Sequence, residues 1–569
     1  MKHAILTLAL TLAFAAAFAQ SGHEEEIRQA FGNEGEICFT FNIDDHSEAN
    51  VLTKIVSIDR ITGNEVFAYA NRKEFAAFLK LGIPYTLVPH PSTMMDESEL
   101  RMGQAGDGPK TEWNFYPTYE QYVAYMQGFA ADHPEICRLD TIGETVEGRL
   151  LLIVKISDSV GQRDGEPEFL YTSSMHGDEV TGYVLMMHLI DYLLTNYGTD
   201  PRITNMVDST EIFICPLANP DGTYHGGNGT VWGAQRYNAN YIDLNRNYPD
   251  PADGPHPDGE DWQPETVAFM ALADSNHFAM GANFHGGASV LNYPWDTWSK
   301  LTADDDWWQF VCREYVDTVQ LYGPAWYYSQ FDNGITNGYQ WYRITGGRQD
   351  YMNYWHFCRE VTNEISDTKT PSASQLLNYW EWNYRSLLNY IEEVNCGAQG
   401  FVTDSLSGEP LEAKAYIFQH DKDNSQVYSK LPSGYYSRLL YEGAYNISFS
   451  CDGYHSKLVN GVNIVNRTRT PLDVQLVPLT FGTGHEGTQR TAMACPNPSD
   501  GRFRIILPVV SQESLTIEVF DITGDRVYRT AISGTAPAVQ MDLSHLAPGL
   551  YLIRLSSEQG LFEDRVILY

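Results

Sequence analysis

The segment FLYTSSMHGDEVTGYVLMMHLIDYLL (169–194) joins a strand pattern to a helix pattern through a short polar turn. The apolar run Phe169 to Thr172 is typical of a buried strand, and apolar residues recur at helical spacing after residue 182. His176 and Glu179 lie three residues apart in the turn, so both side chains can converge beyond the carboxyl end of the strand. Open α/β sheets bind ligands at that edge, and imidazole with carboxylate suits zinc. The segment therefore predicts a metal site on an α/β sheet.

Strand-like runs such as Glu211 to Ile214 continue to alternate with helical patterns on both sides of this segment, from Trp113 to about Val394. Such alternation is typical of a sheet whose strands are connected by helices. It predicts an α/β domain with a mainly parallel or mixed sheet and helices on both faces.

The flanking segments predict smaller domains. Residues 21–109 mix two strand-like runs, Ile37 to Ile43 and Leu52 to Ile58, with a helical stretch over 71–80, which indicates a small α+β domain. Toward the other end of the chain, short period-2 runs with turn signals predict two small β-sandwich domains. The Gly/Thr-rich stretch TFGTGHEGTQRT (480–491) has the composition of a linker between them.

The first twenty residues, MKHAILTLALTLAFAAAFAQ, have the pattern of a secretory signal peptide. Lys2 gives a charged start, an apolar run follows, and Ala17-Phe18-Ala19 forms a small-residue cleavage site, so we expect cleavage after Ala19. No later stretch reaches the roughly 18 apolar residues of a membrane span. We therefore predict a soluble mature protein with no transmembrane segment.

Composition excludes several classes of function. Lys and Arg number 37 against 73 Asp and Glu, so the net charge is −36, and a chain this acidic is unsuited to binding nucleic acid. The eight cysteines include no CxxC pair, which argues against a cysteine-based zinc site, and their disulfide pairing cannot be deduced. The HExxH, GxSxG and P-loop signatures are all absent.

A third candidate ligand follows another strand-like run. ANFHGG (282–287) places His285 at the end of that run, where it would complete a His₂Glu zinc site with an open position for water. His225 carries the same HGG string in YHGGN (224–228), but it lies in a Gly-rich loop. We interpret His225 as a solvated loop histidine.

Six motifs, taken in order, resemble those of the zinc metallocarboxypeptidases, in particular the N/E-type or regulatory subfamily. They are HGDE (176–179), NPDG (219–222), Arg236 with DLNRNYPD (243–250), HGGASVLNYPWD (285–296), ITNGYQWYRITGGRQDYMNY (335–354) and VTNEIS (361–366). The resemblance covers residues 113–395. Residues 397–477 resemble the transthyretin-like domain that follows the catalytic domain in that subfamily.

The resemblance implies roles for the chemistry-bearing residues. His176, Glu179 and His285 match the ligands of one Zn²⁺ per catalytic domain, and Asp243 matches an acceptor that orients His176. Glu364 matches the general base and acid, as a carboxylate beside zinc-activated water should. The remaining matches are to the residue that stabilises the oxyanion, Arg236, to the pair that grips the terminal carboxylate, Asn245 and Arg246, and to the tyrosine that closes over the substrate, Tyr342.

Two departures from the subfamily pattern are visible. Asp178 stands where Asn is usual, which adds a charge near the outer substrate sites but removes no ligand. The subfamily generally lacks a prosegment, yet residues 65–88 resemble the prosegment of the digestive-type relatives. The N-terminal domain is therefore either an inhibitory prosegment or a structural appendage, and the sequence leaves both readings open.

Residues 495–569 resemble the C-terminal sorting domain of the type IX secretion system of Bacteroidetes, with Arg565 where Lys is commoner; an ordinary β-sandwich binding module is the alternative. The resemblance implies export through the periplasm of a Gram-negative bacterium by outer-membrane secretion machinery, to a secreted or surface-attached location. The expected domains are a signal peptide (1–19), a prosegment-like domain (20–110), a catalytic domain (111–395), a transthyretin-like β-sandwich (396–478), a linker (479–494) and the sorting domain (495–569).

The expected activity is removal of single C-terminal residues, with a preference for Lys and Arg. In relatives that remove basic residues an Asp lies eleven positions after the third zinc ligand, which gives Asp296, and Gln349 also matches a pocket position. Trp295 and Trp298 could instead build an apolar pocket, and Lys300 could neutralise Asp296. Two other functions stay open: an amidohydrolase acting on acyl-amino acids or peptidoglycan stem peptides, and a surface adhesin built on an inactive peptidase domain.

Overall fold

The structure is a computed structural model that describes residues 25, 27–32, 35–104, 112–163, 165–479, 493–506, 514–533, 538–557 and 560–569. The predicted signal peptide and the 480–491 linker lie outside the described residues. The chain divides near Val394 into two compact units. Within the described residues, every helix is too short or too polar to cross a bilayer.

The N-terminal part of the first unit is an antiparallel sheet with strand order β2-β3-β1-β4. Its elements are β1 (Glu36–Asn42), α1 (Ala49–Leu52), β2 (Ser57–Thr62), β3 (Glu65–Asn71), α2 (Arg72–Leu79) and β4 (Tyr85–Val88). The predicted helix over 71–80 is confirmed, because Asn71 and Glu74 form a capping box at the start of α2.

The predicted strand from Leu52 to Ile58 is wrong over most of its length. Leu52 ends the short helix α1, the N–H of Val56 donates to the carbonyl of Leu52, and β2 begins only at Ser57. The physical reason is visible in the spacing: Leu52, Ile55 and Val56 recur at the three- and four-residue interval of a helical turn, not in alternation.

The hydrophobic core of this N-terminal domain is aromatic. Phe39 packs edge-on against Phe75 and Phe78, with ring centroids 5.4 and 4.9 Å apart. The same buried cluster includes Tyr342 and Ile344, which belong to the larger domain. The two domains therefore share one core.

The larger domain is built on an eight-stranded sheet with the order β11-β10-β12-β9-β7-β8-β6-β5. The four central strands, β12, β9, β7 and β8, run parallel, and antiparallel pairing of β10 with β12, β6 with β8 and β5 with β6 makes the sheet mixed. The strands are β5 (Cys137–Glu144), β6 (Leu150–Ile156), β7 (Glu168–Ser173), β8 (Glu211–Cys215), β9 (Phe278–His285), β10 (Ala288–Tyr293), β11 (Ile335–Asn337) and β12 (Arg359–Ser366).

Helices cover both faces of this sheet, as predicted. Side chains alternate along β7, so its apolar residues need cover on both faces. Phe169 and Tyr171 contact the ring of Tyr390 on one face, while Leu170 packs into a cluster with Phe269 and Met352 on the other. The helices are α3 (Tyr119–Asp132), α4 (Thr181–Asn196), α5 (Pro201–Val207), α6 (Pro220–Thr223), α7 (Pro264–Ser275), α8 (Asp305–Tyr322), α9 (Gly338–Trp341), α10 (Arg348–Trp355) and α11 (Leu376–Glu392).

The second unit is β-rich throughout its described residues, as predicted. One pair of sheets has the strand orders β16-β13-β19, with β20 also pairing β13, and β15-β14-β17-β18, and a second pair has β21-β22-β25 and β24-β23-β26-β27. The strands are β13 (Gly397–Asp404), β14 (Lys414–Ile417), β15 (Val427–Tyr428), β16 (Tyr435–Arg438), β17 (Gly443–Ser450), β18 (Lys457–Ile464), β19 (Arg469–Pro471), β20 (Val474–Leu476), β21 (Met493–Cys495), β22 (Arg502–Ile506), β23 (Ser514–Phe520), β24 (Arg526–Ser533), β25 (Ala538–Asp542), β26 (Gly549–Ser557) and β27 (Gly560–Leu568).

Candidate metal centre and substrate cleft

Two neighbouring parallel strands bring the predicted metal ligands together. His176 and Glu179 lie in the turn between β7 and α4, and His285 is the last residue of β9. Because β7 and β9 are parallel neighbours, their carboxyl ends meet at the same edge of the sheet. The turn is tight: a Cβ on Gly177 would lie 2.3 Å from the backbone of Gly222, so only glycine fits there.

The three candidate ligands are buried and converge on one point. His176 Nδ1 and His285 Nδ1 are 3.0 Å apart, and each lies 2.9–3.0 Å from a carboxylate oxygen of Glu179. A tetrahedral zinc site places its donor atoms about 3.3 Å apart, given metal–ligand distances near 2.0–2.2 Å. Two imidazole nitrogens facing each other at this separation repel unless a proton or a cation lies between them. The donor set therefore fits Zn²⁺.

Each histidine is also held through its other ring nitrogen. His176 Nε2 lies 3.1 Å from Asp243 Oδ1, and His285 Nε2 lies 2.8 Å from the side-chain amide of Asn283. Burial alone would raise the pKa of Asp243, but Arg236 and His176 hold it well below its usual range. Such partners fix the orientation of metal-binding imidazoles. The role of Asn283 was not predicted, since it has no signal beyond lying two residues before His285.

Glu364 lies on β12, directly opposite His285 on β9. Its Oε2 is buried and has no hydrogen-bond partner in the described part of the chain. Burial and the nearby charge of Glu179 raise its pKa well above the usual range. An unpartnered carboxylate beside the ligand triad is suited to accepting a proton.

Arg236 and Arg246 approach the triad from the loops after α6. Arg236 Nη1 is 3.4 Å from Glu179 Oε1, and its Nε donates to Asp243 Oδ2 at 3.2 Å. Asn245 and Arg246 form a 3₁₀ turn over 244–246 whose start is capped by Asp243. Arg246 Nε is buried without a hydrogen-bond partner among the described residues, so this guanidinium has a donor to spare.

Asp296 lies buried in the same cavity as the triad, Glu364 and Arg246. Its Oδ1 accepts hydrogen bonds from Asn292 Nδ2 at 3.1 Å and from Gln349 Nε2 at 3.2 Å. Burial raises the pKa of the Asp296 carboxyl to about 6. The Lys300 ammonium lies 3.8 Å from the centroid of the Trp298 ring.

The two HGG strings have different structural settings. His285 ends a buried strand, whereas His225 is exposed in the loop after the short helix α6. His225 is not among the residues that line the cavity. The structure thus brings together all ten of the predicted site residues and leaves the loop histidine out. These ten are His176, Glu179, Arg236, Asn245, Arg246, His285, Asp296, Tyr342, Gln349 and Glu364.

Strand β2 of the N-terminal domain lies in the mouth of this cleft. The side chain of Asp59 is buried, with Oδ1 2.6 Å from Lys369 Nζ and 3.3 Å from Arg236 Nη1. The Ile58 carbonyl accepts hydrogen bonds from Tyr342 Oη at 3.0 Å and from Arg246 Nη2 at 3.5 Å.

Two further contacts of the N-terminal domain reach the loop that carries Arg236. Ser57 Oγ donates to Asp243 and accepts from Arg236 Nε. The buried carboxylate of Glu36 accepts from the backbone N–H groups of Arg236 and Tyr237, at 2.7 and 2.9 Å. No sequence motif marks Glu36 or Ser57 as site residues, and they were not predicted.

Comparisons with known proteins show which families this chain resembles. Residues 122–386 match a family described as "Zinc carboxypeptidase", and residues 494–569 match one described as "Secretion system C-terminal sorting domain". Carboxypeptidase M of Mus musculus is 36% identical over 60% of this chain and 80% of its own length. Carboxypeptidase D of Mus musculus is 38% identical over 68% of this chain, which spans only 29% of that relative's length. A solved structure of carboxypeptidase A from Helicoverpa armigera aligns over 63% of this chain and 96% of its own, with a TM-score of 0.48 at 17% identity.

Proposed function

The chain belongs to the zinc carboxypeptidase family, and from this premise we propose that it is a secreted exopeptidase that removes single C-terminal residues from peptides and proteins. One observation carries the proposal: the His₂Glu triad lines a single cavity with Glu364 and Arg246, whose Oε2 and Nε atoms have no hydrogen-bond partner among the described residues. His176, Glu179 and His285 would hold one zinc ion.

The residues around the triad divide the chemistry among them. Zinc, when bound, lowers the pKa of water toward about 7 and polarises the scissile carbonyl. Glu364 takes the proton of the attacking water and passes it to the departing amine nitrogen, a task to which its raised pKa is matched. Arg236 donates to the oxygen on which negative charge develops. Asp243 keeps both His176 and Arg236 in place.

Specificity for a chain end would come from the other side of the cavity. Asn245 and Arg246 bind the terminal carboxylate, for which a guanidinium fork is well shaped, and Tyr342 closes over it. Asp296 would receive the side chain of the last residue, and a buried carboxylate favours Lys or Arg there. The position of the Lys300 ammonium over Trp298 supports this assignment, because that contact engages the cation.

We also propose that the N-terminal domain inhibits the enzyme. The support is that Asp59, Ile58 and Ser57 contact Arg236, Arg246 and Tyr342, the residues assigned to the substrate. The inserted strand is an internal segment, so it offers no terminal carboxylate for cleavage. Ile58 contacts Arg246, and the next residue, Asp59, contacts Lys369, so the strand runs away from the proposed carboxylate clamp. A substrate would run the other way, because its chain ends at that clamp.

The second unit would serve export and not catalysis. We propose that residues 396–478 form the transthyretin-like domain of the regulatory subfamily. Residues 494–569 match a sorting domain and would direct the protein to outer-membrane secretion machinery in a Bacteroidetes cell, by way of the periplasm. The protein would then be released or remain at the cell surface.

A peptide panel tests the proposed activity directly. The full chain, before and after limited proteolysis near Lys110, is incubated with peptides ending in Arg, Lys, Leu or Phe and with matched C-terminally amidated peptides. We expect loss of one residue from the free-acid peptides only, abolished by a zinc chelator and restored by Zn²⁺. Hydrolysis of the amidated peptides or of acyl-amino acids at comparable rates would favour an amidohydrolase instead.

A further inference from the structure

Lys369 is a buried cation beside the cleft, in contact with its lining residues Asp59 and Glu179, and neither the sequence motifs nor the proposed mechanism assigns it a role. It lies in the loop after β12, which is fixed at this point by two hydrogen bonds. The Val180 N–H donates to the Lys369 carbonyl at 3.1 Å, and Thr370 Oγ1 donates to the Asp178 carbonyl at 3.0 Å. The backbone from which the Lys369 side chain extends is therefore held in place by the fold.

The surroundings of this ammonium define what it can bind. Three carboxylates surround its Nζ: Glu179 Oε1 and Asp59 Oδ1 each lie 2.6 Å away, and Asp178 Oδ1 lies 4.0 Å away. The centroid of the Tyr69 ring is 5.2 Å from the same nitrogen. Asp59 and Tyr69 belong to the N-terminal domain, whereas Glu179 and Asp178 belong to the catalytic domain. When Glu179 serves as a metal ligand its charge is engaged elsewhere, so departure of Asp59 leaves Asp178 as the remaining carboxylate beside the ammonium, at 4.0 Å and beyond hydrogen-bond distance.

In this structure Asp59 supplies the carboxylate that pairs with Lys369. It is a side-chain carboxylate on an extended strand, and it contacts two cations at once, Lys369 Nζ and Arg236 Nη1. Charge-assisted bonds of this kind, removed from water, are the strong ones. The N-terminal domain thus acts as a stand-in ligand at this end of the cleft.

The order of residues along the cleft tells which substrate position this end serves. With the terminal carboxylate at Asn245 and Arg246 and the last side chain at Asp296, the scissile carbonyl must lie beside the triad and Arg236. The residue that precedes the cut then extends past Arg236, toward the place that Asp59 occupies.

We propose that Lys369, together with Arg236, is a specificity site for an acidic side chain in the residue preceding the scissile bond. This inference rests on the proposed carboxypeptidase function. The substrates it names are chain ends with Asp or Glu followed by Lys or Arg, in which the two last side chains bind opposite charges, Lys369 and Asp296.

Two peptides that differ only in one charge test the inference. The full chain carrying Asp59→Ala, which lacks the stand-in carboxylate, is first subjected to limited proteolysis near Lys110 to relieve inhibition and is then given peptides ending in Asp-Arg and in the isosteric Asn-Arg. We expect kcat/KM for the Asp-Arg peptide to be at least about tenfold higher. Equal values, or a slower Asp-Arg peptide, overturn the inference even if arginine is released from both. If neither peptide loses arginine, the inference and the proposed function fall together.

Variants at Lys369 then locate the effect. In the Asp59→Ala background, Lys369→Gln should bring the Asp-to-Asn ratio to within about twofold of unity, and Lys369→Arg should restore most of it. Lys300→Gln makes the same change in net charge near Trp298 and should leave the ratio unchanged. A ratio preserved in Lys369→Gln overturns the assignment. Zinc content and circular dichroism monitor folding, and should Lys369→Gln not fold, the peptide pair alone decides.

Discussion

The two ends of the cleft differ in how closely the N-terminal domain engages them. At one end, Asp59 Oδ1 pairs with Lys369 Nζ at 2.6 Å and with Arg236 Nη1 at 3.3 Å, while Asp59 Oδ2 and Asp178 Oδ1 are buried without hydrogen-bond partners among the described residues. At the other end, Arg246 Nε and Asn292 Oδ1 are buried without partners among the described residues. Buried polar atoms without partners are rare and costly, so their presence along the whole cleft indicates a site where an external group binds. The N-terminal domain covers the place of bond cleavage, which is the filled end, and also contacts Arg246 and Tyr342, but the hydrogen bonds of Asp296, at the unfilled end, are made within the catalytic domain.

Removing the metal centre should abolish cleavage whatever binds at either end of the cleft, because the scissile bond must lie beside the metal. We expect His176→Ala and His285→Ala to lose zinc and all measurable activity, since two ligands cannot hold the ion with the affinity of three. His225→Ala, which changes the exposed histidine of the second HGG string, should retain one zinc per chain. Metal analysis of the purified variants is the measurement. Loss of zinc in His225→Ala, but not in His285→Ala, would show that the ligand assignment is wrong.

Glu364→Gln should impair the chemical step without affecting substrate binding at either end of the cleft. The amide has nearly the same shape but cannot accept the proton, so we expect zinc binding to persist while kcat falls at least about a hundredfold. KM for a peptide ending in Arg should change little, because the carboxylate clamp and Asp296 are untouched. Steady-state kinetics with metal analysis test this, and turnover close to that of the wild type would exclude Glu364 as the base.

Asp296→Ala tests the unfilled end. We expect the wild type to cleave peptides ending in Lys or Arg at least about tenfold more efficiently than those ending in Phe or Leu, and the variant to lose most of this preference. The preference should also decline as the pH falls through the raised pKa of Asp296, about 6, because protonation removes the charge that attracts the cation. Rates for the four peptides between about pH 5 and pH 8 provide the measurement. An unchanged preference in the variant would favour a pocket built by Trp295 and Trp298.

Asp59→Ala tests the filled end and should have the smallest effect. Loss of the ion pairs with Lys369 and Arg236 weakens docking of the N-terminal domain by only about 1 kcal/mol, because Asp178 and Asp243 remain beside these two cations, so the basal activity of the unprocessed chain should rise roughly fivefold. Asp44→Ala alters an exposed Asp of the same domain and is the matched control. Peptide cleavage by the intact chain is measured. Equal basal activity in the two variants would leave the N-terminal domain as a structural appendage.

The metal centre could be predicted because its parts are local in sequence or end regular strands. His176 and Glu179 share one turn, and His285 ends a strand that period and composition identify. The error at Leu52 to Ile58 arose because a short apolar run has the same composition in a helical turn as in a strand. Only the spacing of its residues distinguishes the two.

The filled end of the cleft could not be predicted by the same reasoning. Asp59 meets Arg236 and Lys369 across separations of 177 and about 310 residues, and no local pattern records such a contact. Lys369 itself lies in an irregular loop whose course is set by hydrogen bonds to the turn that carries Asp178. Contacts of this kind depend on how one domain docks on another, which the sequence of neither domain specifies by pattern alone.

The shared hydrophobic core has a consequence for the lifetime of the enzyme. Tyr342 and Ile344, on the loop that would close over the substrate, are packed among the side chains of the N-terminal domain. Release of that domain would uncover them to water and remove part of the burial that holds the loop in place. The intact chain would therefore be the durable storage form, and the processed enzyme a faster but shorter-lived catalyst whose working life is set by this one loop.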